Sequence, residues 1–284
     1  MKELIRRILN HLAELNTHSR YPYDKRDAAY TRSYRIIRLT VGFLGVLLPI
    51  VFITGEAFFL RGGVHVRGSL SAYYHTSMQD VFVAGLCVIG FMLATYMAGE
   101  FRTRDFWVSL IAGIAVIGVV FFPTSRSGLP VGAPSCGSNP EPPGCSPVEQ
   151  TLGEQTTAHI HAGFAIAFIL SLAIMSFLFA CSEVLDKPEQ LRTQSQLKQR
   201  LFRSPVLFLI HSICALLILI AGIWAFVGVN IGELTRLYLG EVASVWAFGL
   251  SWTLAGFYLT APARPGPQQD PQDQFPTPDA AISQ

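Results

Sequence analysis

Residues Gly68 to Gly99 read GSLSAYYHTSMQDVFVAGLCVIGFMLATYMAG, and the two halves of this stretch differ in kind. From Val81 to Ala98 there is no charged side chain. As a helix that run is long enough to cross a bilayer core of roughly 30 Å. The half before it places Ser71, Tyr74, His75 and Asp80 on the approach to the span. Polar chemistry at the mouth of a membrane helix is therefore the first feature that could carry function.

Composition extends that reading to the whole chain. Of 284 residues, 51% are hydrophobic and only 14% are charged, against roughly 25% charged in an average soluble domain. Mean hydropathy is +0.40. The expected fold class is all-α, a polytopic membrane helix bundle. Six apolar runs are of spanning length or close to it: Leu39–Leu60, Val81–Ala98, Phe106–Phe122, Ala158–Cys181, Pro205–Val229 and Leu237–Leu259. The third is the shortest, and Ser204-Pro205 reads as the start of the fifth helix, a cap followed by proline in the first turn. The glycines of the third and sixth runs, Gly113, Gly118, Gly240, Gly249 and Gly256, read as sites of close helix packing.

Charge sets the orientation. Seventeen of the 21 Lys and Arg fall on one side of a six-span topology, and Arg61, Arg67, Arg126 and Arg236 on the other. The positive-inside rule then puts both termini in the cytoplasm of a cell (inner) membrane protein. The domain plan is a basic leader at 1–38, a six-helix transmembrane domain at 39–260 and a Pro-rich, disordered tail at 261–284. The first apolar run follows a charged leader and is too long for a signal-peptide core, so it is expected to remain as a signal anchor. Within the leader, Met1 to Asn16 has the spacing of an amphipathic helix. It suits a lipid surface or the protein's own cytoplasmic face equally. Thr17 to Arg38 reads as a polar link. The outer loop at 123–157 is rich in Pro, Gly and Ser and carries Cys136 and Cys145, an expected disulfide on the oxidising side.

With sides assigned, the polar residues near span ends can be compared. Ser71, His75 and Asp80 precede the second span. His159 and His161 open the fourth, and Glu241 sits one turn into the sixth. All share the outer boundary and offer ligand types that zinc takes. Ser71 and His75, four apart, would share one face of an α-helix. His159 and His161 are about 200° apart around a helix, so only one can point inward, and His161 is the deeper. Glu241, Ser244 and Ser251 form a narrow inward stripe. The sharpest functional expectation is a metal-dependent lipid hydrolase, with His75, Asp80 and His161 holding zinc. Glu241 would then be the general base, and Ser71 would orient a lipid substrate. The same groups also suit purely structural work: Asp80 as a cap on the second span, Tyr73 and Tyr74 as an interfacial belt. His211, deeper in the fifth span, reads as a buried hydrogen-bond partner. Two further functions stand beside the hydrolase: binding or transport of a small solute, and a non-catalytic component of a membrane complex. No nucleotide loop, nucleophile elbow or basic-aromatic nucleic-acid face occurs.

The order of features resembles an uncharacterised bacterial family of six-helix membrane proteins with a domain of unknown function. The carrying residues are the S-x-S-x-Y-Y-H-T approach (Ser69 to Thr76), the FVAGL start of span two, and Gly113 to Pro123. The H-x-H-A-G-F opening of span four completes the set. That resemblance implies an architecture and no activity. More remotely, Ser71-x-x-x-His75 is similar to the serine–histidine pair of the membrane hydrolase superfamily of alkaline ceramidases and adiponectin receptors. That likeness implies a zinc ion cleaving a lipid amide within a helix bundle. The chain departs from that superfamily in having six spans where it has seven, in lacking a late H-x-x-x-H, and in an aspartate close behind the histidine.

Overall fold

A backbone in an apolar run can satisfy its own N–H and C=O groups only as helix when no water is at hand, and each of the six runs contains a helix. The computed structural model describes residues 23–60, 66–96, 103–126, 132–185 and 194–258, with side chains left out at 23–31, 60, 183–185 and 194–204. The proposed amphipathic segment at 1–16 and the tail at 261–284 lie outside the described residues. One unit comprises Arg32–Leu259. The other, Met1–Thr31 with Thr260–Gln284, contributes helical backbone at 23–31 to the described residues.

The helices are α1 (Tyr23–Leu60), α2 (Gln79–Thr95), α3 (Arg104–Phe121), α4 (Pro147–Leu152), α5 (Glu154–Leu185), α6 (Gln194–Val227) and α7 (Arg236–Phe257). A five-residue 3-10 turn, Ser71–His75, precedes α2. Among the described residues no strand occurs beyond an isolated bridge between Ile231 and Leu234. Four segments are long and apolar enough to cross a membrane: Arg32–Phe59, Arg104–Phe121, Glu154–Ser182 and Pro205–Val227. Gln79–Thr95 is apolar but has 17 residues, so the shortest run is the second and not the third. Helix α7 has the length, 22 residues, yet its Glu, Ser, Thr and Trp content keeps it outside that group.

Two boundaries differ from expectation. Helix α1 begins at Tyr23 and runs through the supposed link, with Pro49 inside it. Helix α6 begins at Gln194, so Ser204-Pro205 is not its start and Pro205 lies within the helix. The change of polarity at Pro205 marks where an apolar environment would begin. The Gln, Leu, Lys and Arg before it are good helix formers and carry the helix further.

Packing follows chain order. Closest neighbours are α2 with α3, α3 with α5, α5 with α6, and α6 with α7. Helix α1 joins α2 through Phe52 and Phe82, whose ring centres are 5.7 Å apart. It joins α7 where the Trp246 indole donates to the Val46 carbonyl at 3.1 Å. The circuit of six helices therefore closes. One half of its interior is filled by Trp252, fully buried, against Tyr96, Phe179 and Phe248 at 4.9–5.2 Å. Arg38 lies 4.7 Å over the Phe179 ring and donates to the Tyr96 hydroxyl at 2.7 Å and to the Ala255 carbonyl at 3.0 Å.

The loop at the opposite end is ordered by its own polar groups. Cys136 and Cys145 form the expected disulfide. The segment is not wholly irregular, because Ser146 and Glu149 form a reciprocal capping box at the start of α4. Gly153, with φ of +82°, then breaks α4 from α5, a conformation that favours glycine. The Glu154 carboxylate accepts the Arg126 and Cys136 amides at 2.8 and 3.1 Å and pairs with the Arg126 guanidinium at 3.0 Å.

Candidate functional site

Between the aromatic plug and the disulfide loop the ring encloses a cavity of about 510 Å³. This lies within the range of roughly 300–1,000 Å³ typical of small-molecule pockets. Its long wall is apolar, from Leu48 and Phe52 on α1 to Phe168 on α5 and Phe248 on α7. On α5 it reaches from Ala158 to Leu172, about 21 Å at the rise of a helix. Ile166, Leu170, Leu219 and Ile223 line the cavity and are 42–61% exposed. Its polar groups gather at the disulfide-loop end: Ser69, Ser71, Thr124, His161, Glu241 and Ser244.

Of the five residues given roles in the expected hydrolase site, three line this cavity: Ser71, His161 and Glu241. His161 is 5% exposed while His159 is exposed, the split that a two-residue step on a helix requires. The His161 Nδ1 donates to the Phe122 carbonyl at 2.7 Å. Glu241 Oε2 accepts the Leu70 amide at 2.6 Å, and the Ser71 amide also faces it. The carboxyl thus ties α7 to the start of the 3-10 turn.

His75 and Asp80 go elsewhere. At three residues per turn, positions four apart no longer stack, so Ser71 faces the cavity while His75 turns to the loop. There its Nε2 donates to the Thr124 carbonyl at 2.6 Å and stands 3.7 Å from Glu149 Oε1. Asp80 is exposed in the first turn of α2, where it favours the helix dipole, and the N-cap Met78 makes no side-chain bond. Tyr73 is no interfacial anchor. It is fully buried, stacked on Phe52 at 5.3 Å, and burial pushes its phenol pKa up.

The zinc implied by the hydrolase resemblance does not fit this arrangement. Among the described residues, the ligand atoms of His75, Asp80 and His161 do not all lie within 4.8 Å of one another. The imidazoles are turned to backbone carbonyls just past the end of α3. Two other groups do converge, Cys136 with Glu141 and Cys145, and Cys136 with Glu149 and Glu154. Their sulfurs are joined in the disulfide, and the carboxylates of Glu149 and Glu154 accept backbone amides. That donor set lacks the thiolate a metal would use.

Sequence reading missed two features at this end. Glu56, 1% exposed, pairs with Arg67, whose Nε donates at 2.8 Å and whose pKa that bond raises further. The Glu149 and Glu154 network was missed too, although the S-x-x-E pattern at Ser146 signals the first of these. Comparison with protein-family models, with curated proteins and with solved structures finds no match to the chain.

Proposed function

We propose that the chain is a six-span membrane protein, both termini cytoplasmic, that binds a lipid-like amphiphile in the cavity between its helices. The observation that carries this reading is the cavity itself: apolar along its length and polar only where it ends near the loop. A ligand's chain would lie along the apolar wall. Its head would rest against Ser71, His161 and Glu241. The charge asymmetry favours the outer side for that end, so the ligand would come from the outer leaflet. The hydrolase reading keeps as support only the meeting of Ser71, His161 and Glu241 on one cavity. Its metal has no converging ligand set among the described residues.

The test is native mass spectrometry of the protein purified in detergent. Wild type is expected to retain an amphiphile of defined mass, and Ala165→Phe, which fills the cavity from α5, to lose it while keeping its helical circular dichroism. Equal retention by both, or none by wild type after incubation with cell lipids, would rule the reading out.

A further inference from the structure

Resting on that amphiphile reading, we infer that the cavity selects a lipid with an uncharged, hydroxyl-bearing head, of the monoacylglycerol kind, over one with a phosphate or carboxylate head. The inference comes from counting donors and acceptors at the polar end. Among the described residues no Lys or Arg lines the cavity, and Glu241 is the one Asp or Glu on its wall. Arg67 and Arg126 are bound to Glu56 and Glu154, and Arg236 donates to the Gly228 carbonyl at 3.4 Å in an exposed position. An anionic head would therefore enter an apolar space without a counter-charge, which is strongly unfavourable.

A hydroxyl head meets better-matched partners. His161 donates through Nδ1 to a carbonyl, and in the neutral imidazole this leaves Nε2 as an acceptor. Ser244 Oγ donates to the Ile218 carbonyl at 3.4 Å, so its oxygen also accepts. Glu241 accepts from the amides of Leu70 and Ser71. The hydroxyls of Ser69, Ser71 and Thr124 can donate or accept, so the polar end matches a glycerol head, which does both. An ammonium head is not called for, since the Glu241 carboxyl already has amides facing it.

The experiment measures binding of four probes with one oleoyl chain to the full-length protein in detergent, by native mass spectrometry. They are monooleoylglycerol, oleate, oleoyl lysophosphatidic acid and methyl oleate. Monooleoylglycerol is expected to bind at least about a hundredfold more tightly than either anion, the ratio that burying an ion without a partner implies. It is also expected to exceed methyl oleate, which has no donor. His161→Phe and, should that variant not fold, Ser244→Ala are expected to narrow the gap between monooleoylglycerol and methyl oleate about tenfold. Anions binding as well as the glyceride, methyl oleate matching it, or folded variants leaving the gap unchanged would each overturn the head-group inference while the amphiphile reading stands. Failure of all four probes to bind would remove both.

Discussion

His75 and His161 each donate a ring N–H to a carbonyl just past the end of α3, that of Thr124 and that of Phe122. A buried carbonyl without a donor is unfavourable by about 1–3 kcal/mol. The two imidazoles supply donors to the segment that leaves α3, so residue types that resemble a metal set serve to fix that segment. Replacing His161 with Phe keeps a planar ring and removes the donor. It is expected to lower stability by about 1–3 kcal/mol, read as a fall in the thermal midpoint in detergent. His159→Ala, at an exposed position of the same helix, should stay within about 0.5 kcal/mol of wild type. An equal effect at both positions would show that the Phe122 contact does not matter. Spacing alone separated His161 from His159. It could not reveal that the partners of His161 and His75 would be carbonyls, because those come from a segment 39 and 49 residues away in the chain.

Among the elements, α2 and α3 show how glycine sets a helix contact. A Cβ built at Gly113 would stand 2.7 Å from the Gly90 carbonyl oxygen, a backbone atom that cannot move aside cheaply. Gly113→Ala is therefore expected to destabilise by about 1–3 kcal/mol. Gly163 on α5 has nothing within 4 Å of its built Cβ. There the same change should be neutral or stabilising by up to about 1 kcal/mol, since alanine is the better helix former. Thermal unfolding of the two variants side by side decides it, and a loss at Gly163 as large as at Gly113 would refute the packing account. These contacts were legible, because glycines within apolar spans have few other uses. The turn before α2 was not. Ser71 to His75 looks like the first turn of a helix, yet it winds as a 3-10 turn, and that moves His75 off the face of Ser71. The amides of Leu70 and Ser71 face the Glu241 carboxyl, on an element that arrives only 170 residues later.

For the molecule as a whole, the circuit of helices is plugged at one end by Trp252 and Arg38 and left hollow at the other. The proposed orientation places the hollow end outside. A membrane-impermeant maleimide should therefore label Ser125→Cys on intact cells, in a background with the free cysteines Cys87, Cys181 and Cys214 replaced by serine. Arg104→Cys, exposed at the start of α3, should react only after the membrane is opened. The reverse pattern would invert the topology and move the proposed ligand to the inner leaflet. The disulfide lends support, since Cys136 and Cys145 persist as a bridge only on an oxidising side.

The sequence by itself determined that the chain is helical, where its apolar runs lie, which way its charges are biased and which cysteines pair. Each of these depends on local composition, on helical period or on proximity along the chain. The tertiary structure alone decided that Ser71, His161 and Glu241 share a cavity while His75 and Asp80 do not. It also decided that Glu56 has Arg67 for a partner, and that a cavity lies between the helices. Those outcomes depend on which helix faces which and on the hand of one short turn. They come from packing many distant residues at once, and no single stretch of the chain carries them.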